Sequence, residues 1–102
     1  MNDPLSKAFS PATLGKLQLQ NRILKAATYE GKTPDGVPGE LLLNFHKGIV
    51  QGGTAMTTIG SCTTEADGRI NDAMMWMHGG IRDQLSHMNR ELKRVAPGVK
   101  IS

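Results

Sequence analysis

Ile23-Leu24-Lys25-Ala26-Ala27 is the stretch of sequence from which the fold follows. It is short, begins with apolar residues and ends in small ones, which favours a β-strand. Before it, Thr13 to Leu19 alternates apolar and polar residues around Gly15-Lys16, and this pattern predicts a small β-hairpin. We therefore expect a hairpin that leads directly into a first strand.

The residues after this strand predict a loop and then a helix. Thr33 to Gly39 is dense in turn formers, so neither a strand nor a helix is expected to continue through it. The helix that follows ends at Gly52-Gly53. The apolar residues of this helix are spaced three and four apart and form one stripe along it. The stripe consists of Leu42, Phe45 and Ile49, with Leu41 adjacent.

The second half of the chain repeats the order of strand and helix. Thr54 to Thr64 is rich in β-branched residues and predicts a second strand, which Asp67-Gly68 closes. A second amphipathic helix then ends at Pro97-Gly98, and Val99 to Ser102 begins a third strand. The stripe of that helix is Ile81, Leu85, Met88, Leu92 and Val95. Alternating strands and amphipathic helices predict parallel βαβ units, so the fold class is α/β.

Composition excludes several kinds of partner. Twelve basic and nine acidic residues, spread along 102 residues, give a net charge of +3, which is too weak a footprint to predict nucleic-acid binding. No apolar run approaches the roughly 20 residues that span a bilayer, and residues 1–4 lack the pattern of a secretory signal. The single cysteine, Cys62, is interpreted as a buried structural thiol. We expect a cytoplasmic protein without nucleic-acid or membrane partners.

Residues that carry chemistry are sparse. The sequence has no Walker-type phosphate loop and no pair of histidines at metal-ligand spacing. His46 and His87 lie off the apolar stripes and His78 lies in a loop, so all three are interpreted as solvated histidines. Cys62 has no base nearby in sequence. We therefore assign no catalytic residue and no metal ligand.

A set of short motifs resembles the opening of the old-yellow-enzyme-type flavin oxidoreductases. Each motif is short, and the resemblance depends on their order and spacing over roughly Ala8 to Ser102, the first part of the family's pattern. The motifs are Phe9-Ser10-Pro11, Gly15, Leu19, Asn21-Arg22-Ile23-Leu24, Asp35-Gly36-Val37-Pro38, Gly52-Gly53 and Asp67-Gly68-Arg69.

The resemblance implies a TIM barrel that carries FMN at the carboxyl ends of its strands. In that family, hydride passes from NAD(P)H through the flavin to a small-molecule acceptor such as an activated alkene. A barrel of this kind needs about 250 residues or more. We therefore expect residues 1–102 to be the amino-terminal βα units of a single FMN-binding domain, preceded by the hairpin and inactive alone.

The resemblance also implies flavin contacts. By motif position the contacts are Ala26, Ala27, Thr28, Tyr29 and Ser61. A flat ring that lies across strand ends needs backbone groups and little side-chain bulk beneath it, which residues 26–28 provide. The alternative is that these small residues pack a barrel interior. For Lys25, extension to the barrel rim is favoured over an approach to the flavin.

The sequence is also compatible with a second function. A short sheet with unpaired edges also suits a non-enzymatic βα module that buries those edges by self-association as a homo-oligomer.

Overall fold

The computed structural model describes residues 4–102. Residues 1–3, which belong to the stretch read above for a secretory signal, lie outside the described residues. The main sheet has three parallel strands in the order β3 (Leu24–Lys25), β4 (Met56–Thr57) and β7 (Lys100–Ile101). Helix α1 (Glu40–Gln51) connects β3 to β4, and α2 (Arg82–Val95) lies between β4 and β7. The predicted α/β class with parallel βαβ units is confirmed.

Ahead of the sheet, β1 (Ala12–Leu14) pairs antiparallel with β2 (Leu17–Leu19). The connection is Gly15-Lys16, and Gly15 has a φ of +60°, where a residue without a Cβ is favoured. The segment that follows is fixed to the turn that precedes the second strand of the main sheet, because the Asn21 side chain donates to the Gly53 carbonyl at 2.7 Å. The hairpin therefore leads directly into β3.

The second predicted strand is shorter than expected. Thr54 to Thr64 divides into β4 and β5 (Cys62–Thr63), and β5 pairs in parallel with β6 (Met75–Trp76) in a separate two-stranded sheet. The intervening Gly60 and Ser61 have low strand propensity. The prediction of one continuous strand was wrong because the chain leaves the main sheet at these small residues.

The core lies between the two helices and the sheet. Its buried cluster consists of Leu42, Leu43, Val50, Met88, Leu92 and Val99. The predicted stripe of α2 is confirmed, with Met88 and Leu92 almost fully buried. Neither α-helix within residues 4–102 has the length and apolar character that crossing a membrane requires.

The predicted stripe of α1 was wrong by about one position. Leu43, His46 and Val50 are buried together with Leu42, whereas Leu41 is 54% exposed. A polar residue at the centre of the buried face hides the true stripe from a pattern that counts apolar side chains. His46 therefore faces the sheet.

Candidate functional site

The carboxyl ends of β3 and β4 lie side by side, and four of the predicted flavin contacts follow them. Ala26, Ala27 and Thr28 come after β3 and are exposed, and Ser61 comes after β4 and is half-buried. A Cβ on Gly60 would lie only 3.0 Å from the Thr28 carbonyl oxygen. Since glycine permits this close approach, the two chain segments meet. We call residues 26–28 and 60–61 the strand-end platform.

The chemistry of the platform is compatible with a flat ring. It carries two alanines, a threonine, a glycine and a serine, so side-chain bulk is low, and residues 26–28 are exposed. Backbone and hydroxyl groups of this kind orient ligands in pockets that are otherwise apolar. Ala26, Ala27, Thr28 and Ser61 are therefore suited to hold FMN, and their contact with it stays a prediction.

Tyr29 is directed towards the segment between β5 and β6. Its hydroxyl donates to Asn71 Oδ1 at 2.8 Å, and the same oxygen accepts the Ala73 N–H at 2.9 Å. Thr33 Oγ1 donates to the Ala73 carbonyl at 2.8 Å. These bonds join the chain after β3 to the segment after β5 and fix the position of the Tyr29 ring, which is 44% exposed.

In contact with the platform is a polar cluster that the sequence did not predict, formed by Lys25, Glu30, His46 and Thr57. We call it the strand-end network. Lys25 Nζ lies 3.0 Å from Glu30 Oε2, and His46 Nε2 lies 3.0 Å from Glu30 Oε1. His46 Nδ1 lies 2.8 Å from Thr57 Oγ1. The side chains of His46 and Glu30 are 0% and 1% exposed, so these contacts are shielded from water.

Lys25 does not extend to the rim, contrary to expectation. Its side chain is only 14% exposed. Besides Glu30, the ammonium contacts the Ala26 carbonyl at 2.9 Å, Thr28 Oγ1 at 3.2 Å and the Thr58 carbonyl at 3.3 Å. Lys25 turns inward because the backbone carbonyls at both strand ends and the carboxylate together surround its charge.

The interpretation of His46 as a solvated histidine was wrong. An ionised carboxylate only accepts hydrogen bonds, so the Nε2 that faces Glu30 carries a proton. In the neutral ring Nδ1 then accepts from the Thr57 hydroxyl. Both ring nitrogens thus have a hydrogen-bond partner. His46 links α1 to Thr57 of β4 and to Glu30, which follows β3.

The other two histidines differ from each other. His87 is exposed, as predicted. His78 is half-buried: Nδ1 accepts the Gly80 N–H, Nε2 lies 3.3 Å from the Gly36 carbonyl, and the ring stacks on Trp76 with centroids 4.5 Å apart. For His78 the prediction of a solvated side chain was therefore wrong.

The prediction of a buried Cys62 was also wrong. Cys62 is exposed and lies at the start of β5. Partial burial of the thiol nevertheless raises the pKa of Cys62 above its ordinary value, because burial disfavours the charged thiolate.

Comparison with solved structures defines the class of fold. Morphinone reductase, known also in complex with tetrahydroNAD, matches with a TM-score of 0.77 and 21% identity over 93% of this chain and 25% of its own. The shared fold is that of the amino-terminal part of a TIM-barrel enzyme. At this level of identity the comparison shows a shared fold, and that fold agrees with the one that the motifs imply.

Two curated proteins match in sequence, and no protein-family profile does. The 4,4'-dithiodibutanoate disulfide reductase of Rhodococcus erythropolis is 47% identical over 68 residues, which cover 67% of this chain. A metal reductase of Desulforamulus reducens is 38% identical over 58 residues, or 57% of this chain. The matches cover only 17% and 9% of those two proteins, so the chain corresponds to a small part of each.

Proposed function

We propose that this chain contributes the amino-terminal βα units of an FMN-dependent oxidoreductase. The observation that carries the proposal is the strand-end platform, where small residues that follow two adjacent parallel strands meet at the carboxyl ends of those strands. Ligands of parallel α/β folds bind at this end of the sheet. Similarity to two proteins named as reductases supports the same class of activity.

FMN is the proposed cofactor and NAD(P)H the proposed reductant. A structure of morphinone reductase in complex with tetrahydroNAD supports a nicotinamide for a protein of this fold. When bound, the flavin would supply reversible hydride chemistry between the nicotinamide and a small-molecule acceptor, such as an activated alkene. In this proposal Ala26, Ala27, Thr28 and Ser61 hold the ring.

Tyr29 has a separate role in the proposal. Its bond to Asn71 fixes the phenol, and in the proposal the Tyr29 side chain would be a further contact of the flavin. The catalytic groups are supplied from outside residues 1–102, and we propose that these residues alone do not catalyse the reaction.

FMN titration combined with size-exclusion chromatography tests the proposal. Binding to the platform should change flavin fluorescence, and Ala27→Leu should weaken the binding because its branched side chain occupies the exposed surface. Ala12→Leu, on β1, is the matched control and should leave binding unchanged. Unchanged flavin fluorescence with the wild-type chain, or equal binding by the Ala27 variant, contradicts the proposal.

The rival function is a non-enzymatic module that associates with itself. The open edges of the described sheet favour it, because β3 and β7 each pair on one side only. Exposed apolar side chains near these edges, such as Leu24 at 46% and Met77 at 59%, would be covered in an oligomer. A compact oligomer that leaves flavin fluorescence unchanged would favour this rival.

A further inference from the structure

Glu30 occupies the centre of the strand-end network, which contacts the platform. We propose that Glu30 is a positioning residue, a buried carboxylate that fixes the backbone after β3 and the backbone after β4 in one arrangement. The identity of the ligand that benefits rests on the proposed function. The positioning itself rests on contacts among the described residues.

The first contact is with the segment after β4. Glu30 Oε1 accepts the backbone N–H of Gly60 at 3.1 Å. A hydrogen bond from an N–H to a carboxylate is stronger than one to a neutral acceptor, and here the Glu30 side chain is shielded from water. Gly60 directly precedes Ser61 and approaches the Thr28 backbone. This bond therefore fixes the position of residues 60–61 of the platform.

The second contact acts through Lys25 on the segment after β3. Glu30 Oε2 lies 3.0 Å from Lys25 Nζ, and the ammonium also donates to the Ala26 carbonyl and to Thr28 Oγ1. An ammonium has three protons, and here the Ala26 carbonyl, Thr28 Oγ1 and the Thr58 carbonyl accept them, so the contact with Glu30 Oε2 is an ion pair and not a hydrogen bond. Glu30 supplies the opposite charge that makes this buried position of the ammonium favourable. Residues 26–28 of the platform are thereby connected, through Lys25, to the same carboxylate that binds Gly60.

The third contact prevents the carboxylate from turning away. His46 Nε2 lies 3.0 Å from Glu30 Oε1, and the ring is itself fixed by Thr57 of β4. Glu30 is thus held by α1 while it holds both strand ends. A buried ion pair is weak evidence for stability, because apolar residues of similar volume replace such pairs at little cost. Its attachment to both halves of the platform indicates positioning.

Two double variants separate positioning from stability. Lys25→Met with Glu30→Gln, and Lys25→Met with Glu30→Leu, both remove the two charges and keep similar volume. They differ in one respect: glutamine retains an oxygen that can accept from Gly60 and His46, and leucine does not. Glu65→Gln changes an exposed carboxylate and serves as the control.

Amide hydrogen exchange of the flavin-free full chain is the first measurement. Exchange at Gly60 should be about tenfold faster in the leucine double variant than in the glutamine one, since one charge-free hydrogen bond of about 1.4 kcal/mol is lost. The control should match the wild type. Equal exchange in the two double variants, both folded by circular dichroism, overturns the proposal.

FMN affinity of the same variants is the second measurement. The glutamine variant should bind FMN more tightly than the leucine variant by about the same tenfold factor. If the wild type binds no FMN, the proposed function fails, whereas the exchange comparison still decides whether Glu30 positions the backbone. Unequal exchange together with equal, measurable FMN affinity overturns the connection between Glu30 and the ligand.

The wild-type chain decides the matter if neither double variant folds. The Gly60 amide lies outside every strand, yet its bond to a buried carboxylate should slow its exchange at least about tenfold relative to an unstructured peptide. Exchange at the rate of an unstructured peptide would show that the bond does not hold the segment, and would overturn the proposal.

Discussion

His46 can be replaced by leucine with little change in volume, so the His46→Leu variant isolates the hydrogen bonds of its ring. The side chain is fully buried, and each ring nitrogen has a partner within 3.0 Å. Leucine removes both bonds at once. Glu30 Oε1 keeps the Gly60 N–H, but the Thr57 hydroxyl, which is fully buried, loses its contact with the ring.

The expected cost is worked from these two losses. A hydrogen bond to a charged group contributes about 1.5–3 kcal/mol, and an unpaired buried hydroxyl costs about 1–3 kcal/mol. Better burial of the apolar leucine offsets about 1 kcal/mol of this sum. We therefore expect His46→Leu to lower the free energy of unfolding by about 1.5–5 kcal/mol, a large fraction of the stability of a small domain.

Urea denaturation followed by circular dichroism measures this change. His87→Leu, at an exposed position on α2, is the matched control and should shift the free energy by less than about 0.5 kcal/mol. Adding Thr57→Val to His46→Leu removes the unpaired hydroxyl, so the double variant should cost at least about 1 kcal/mol less than the sum of the singles. A loss below about 1 kcal/mol for His46→Leu, or additive costs in the double variant, would refute the reasoning.

Three further predictions concern glycines and the cysteine. Gly48→Ala should stabilise α1 by about 0.5–1 kcal/mol in urea denaturation, because a Cβ there meets nothing within 4 Å and alanine favours helix; a loss of stability would contradict this. Gly36→Ala should destabilise the chain by about 1–3 kcal/mol and change Trp76 fluorescence, because φ is +77° and the new Cβ would lie 2.8 Å from Trp76 Cδ1; an unchanged spectrum with unchanged stability would count against it. Cys62 should react with iodoacetamide more slowly at neutral pH than an unstructured peptide thiol, and its rate should rise at higher pH, because its raised pKa leaves less thiolate at a given pH; equal rates in the folded and urea-unfolded chain would disprove the shift.

The order of elements followed from the sequence because apolar periodicity and turn residues report it directly. The stripe of α2 has a hydrophobic residue at each expected step and was predicted correctly. The stripe of α1 was misplaced because His46 occupies the middle of its buried face. A pattern that counts apolar side chains cannot place a polar one in the core.

The candidate site was predictable only in part. The small residues after β3 and Ser61 were predicted as flavin contacts from motif position, which stays a prediction, and the structure brings their segments together at Gly60. The network that contacts them carries no sequence signal, because Glu30 and His46 are 16 residues apart and lie on different elements. A usable indication was that His46 lies three residues after Leu43 and four before Val50, both apolar positions of one helix face.

The strand-end network has a physical explanation in the shortness of the strands. β3 and β4 are each two residues long, so some backbone groups just beyond them leave the ladder, and Thr58 and Gly60 are still half-buried there. Such groups require partners. The Lys25 ammonium takes the carbonyls of Ala26 and Thr58, and the Glu30 carboxylate takes the Gly60 N–H.

An ammonium and a carboxylate together can satisfy all of these backbone groups. Carbonyls need a donor and the N–H needs an acceptor, and an ammonium and a carboxylate supply several of each while neutralising one another. The network reaches the platform at Thr28, whose hydroxyl accepts from the Lys25 ammonium, while the side chains of Ala26 and Ala27 take no part in it and both residues are exposed. The network that satisfies the ends of the strands therefore leaves these two small residues accessible.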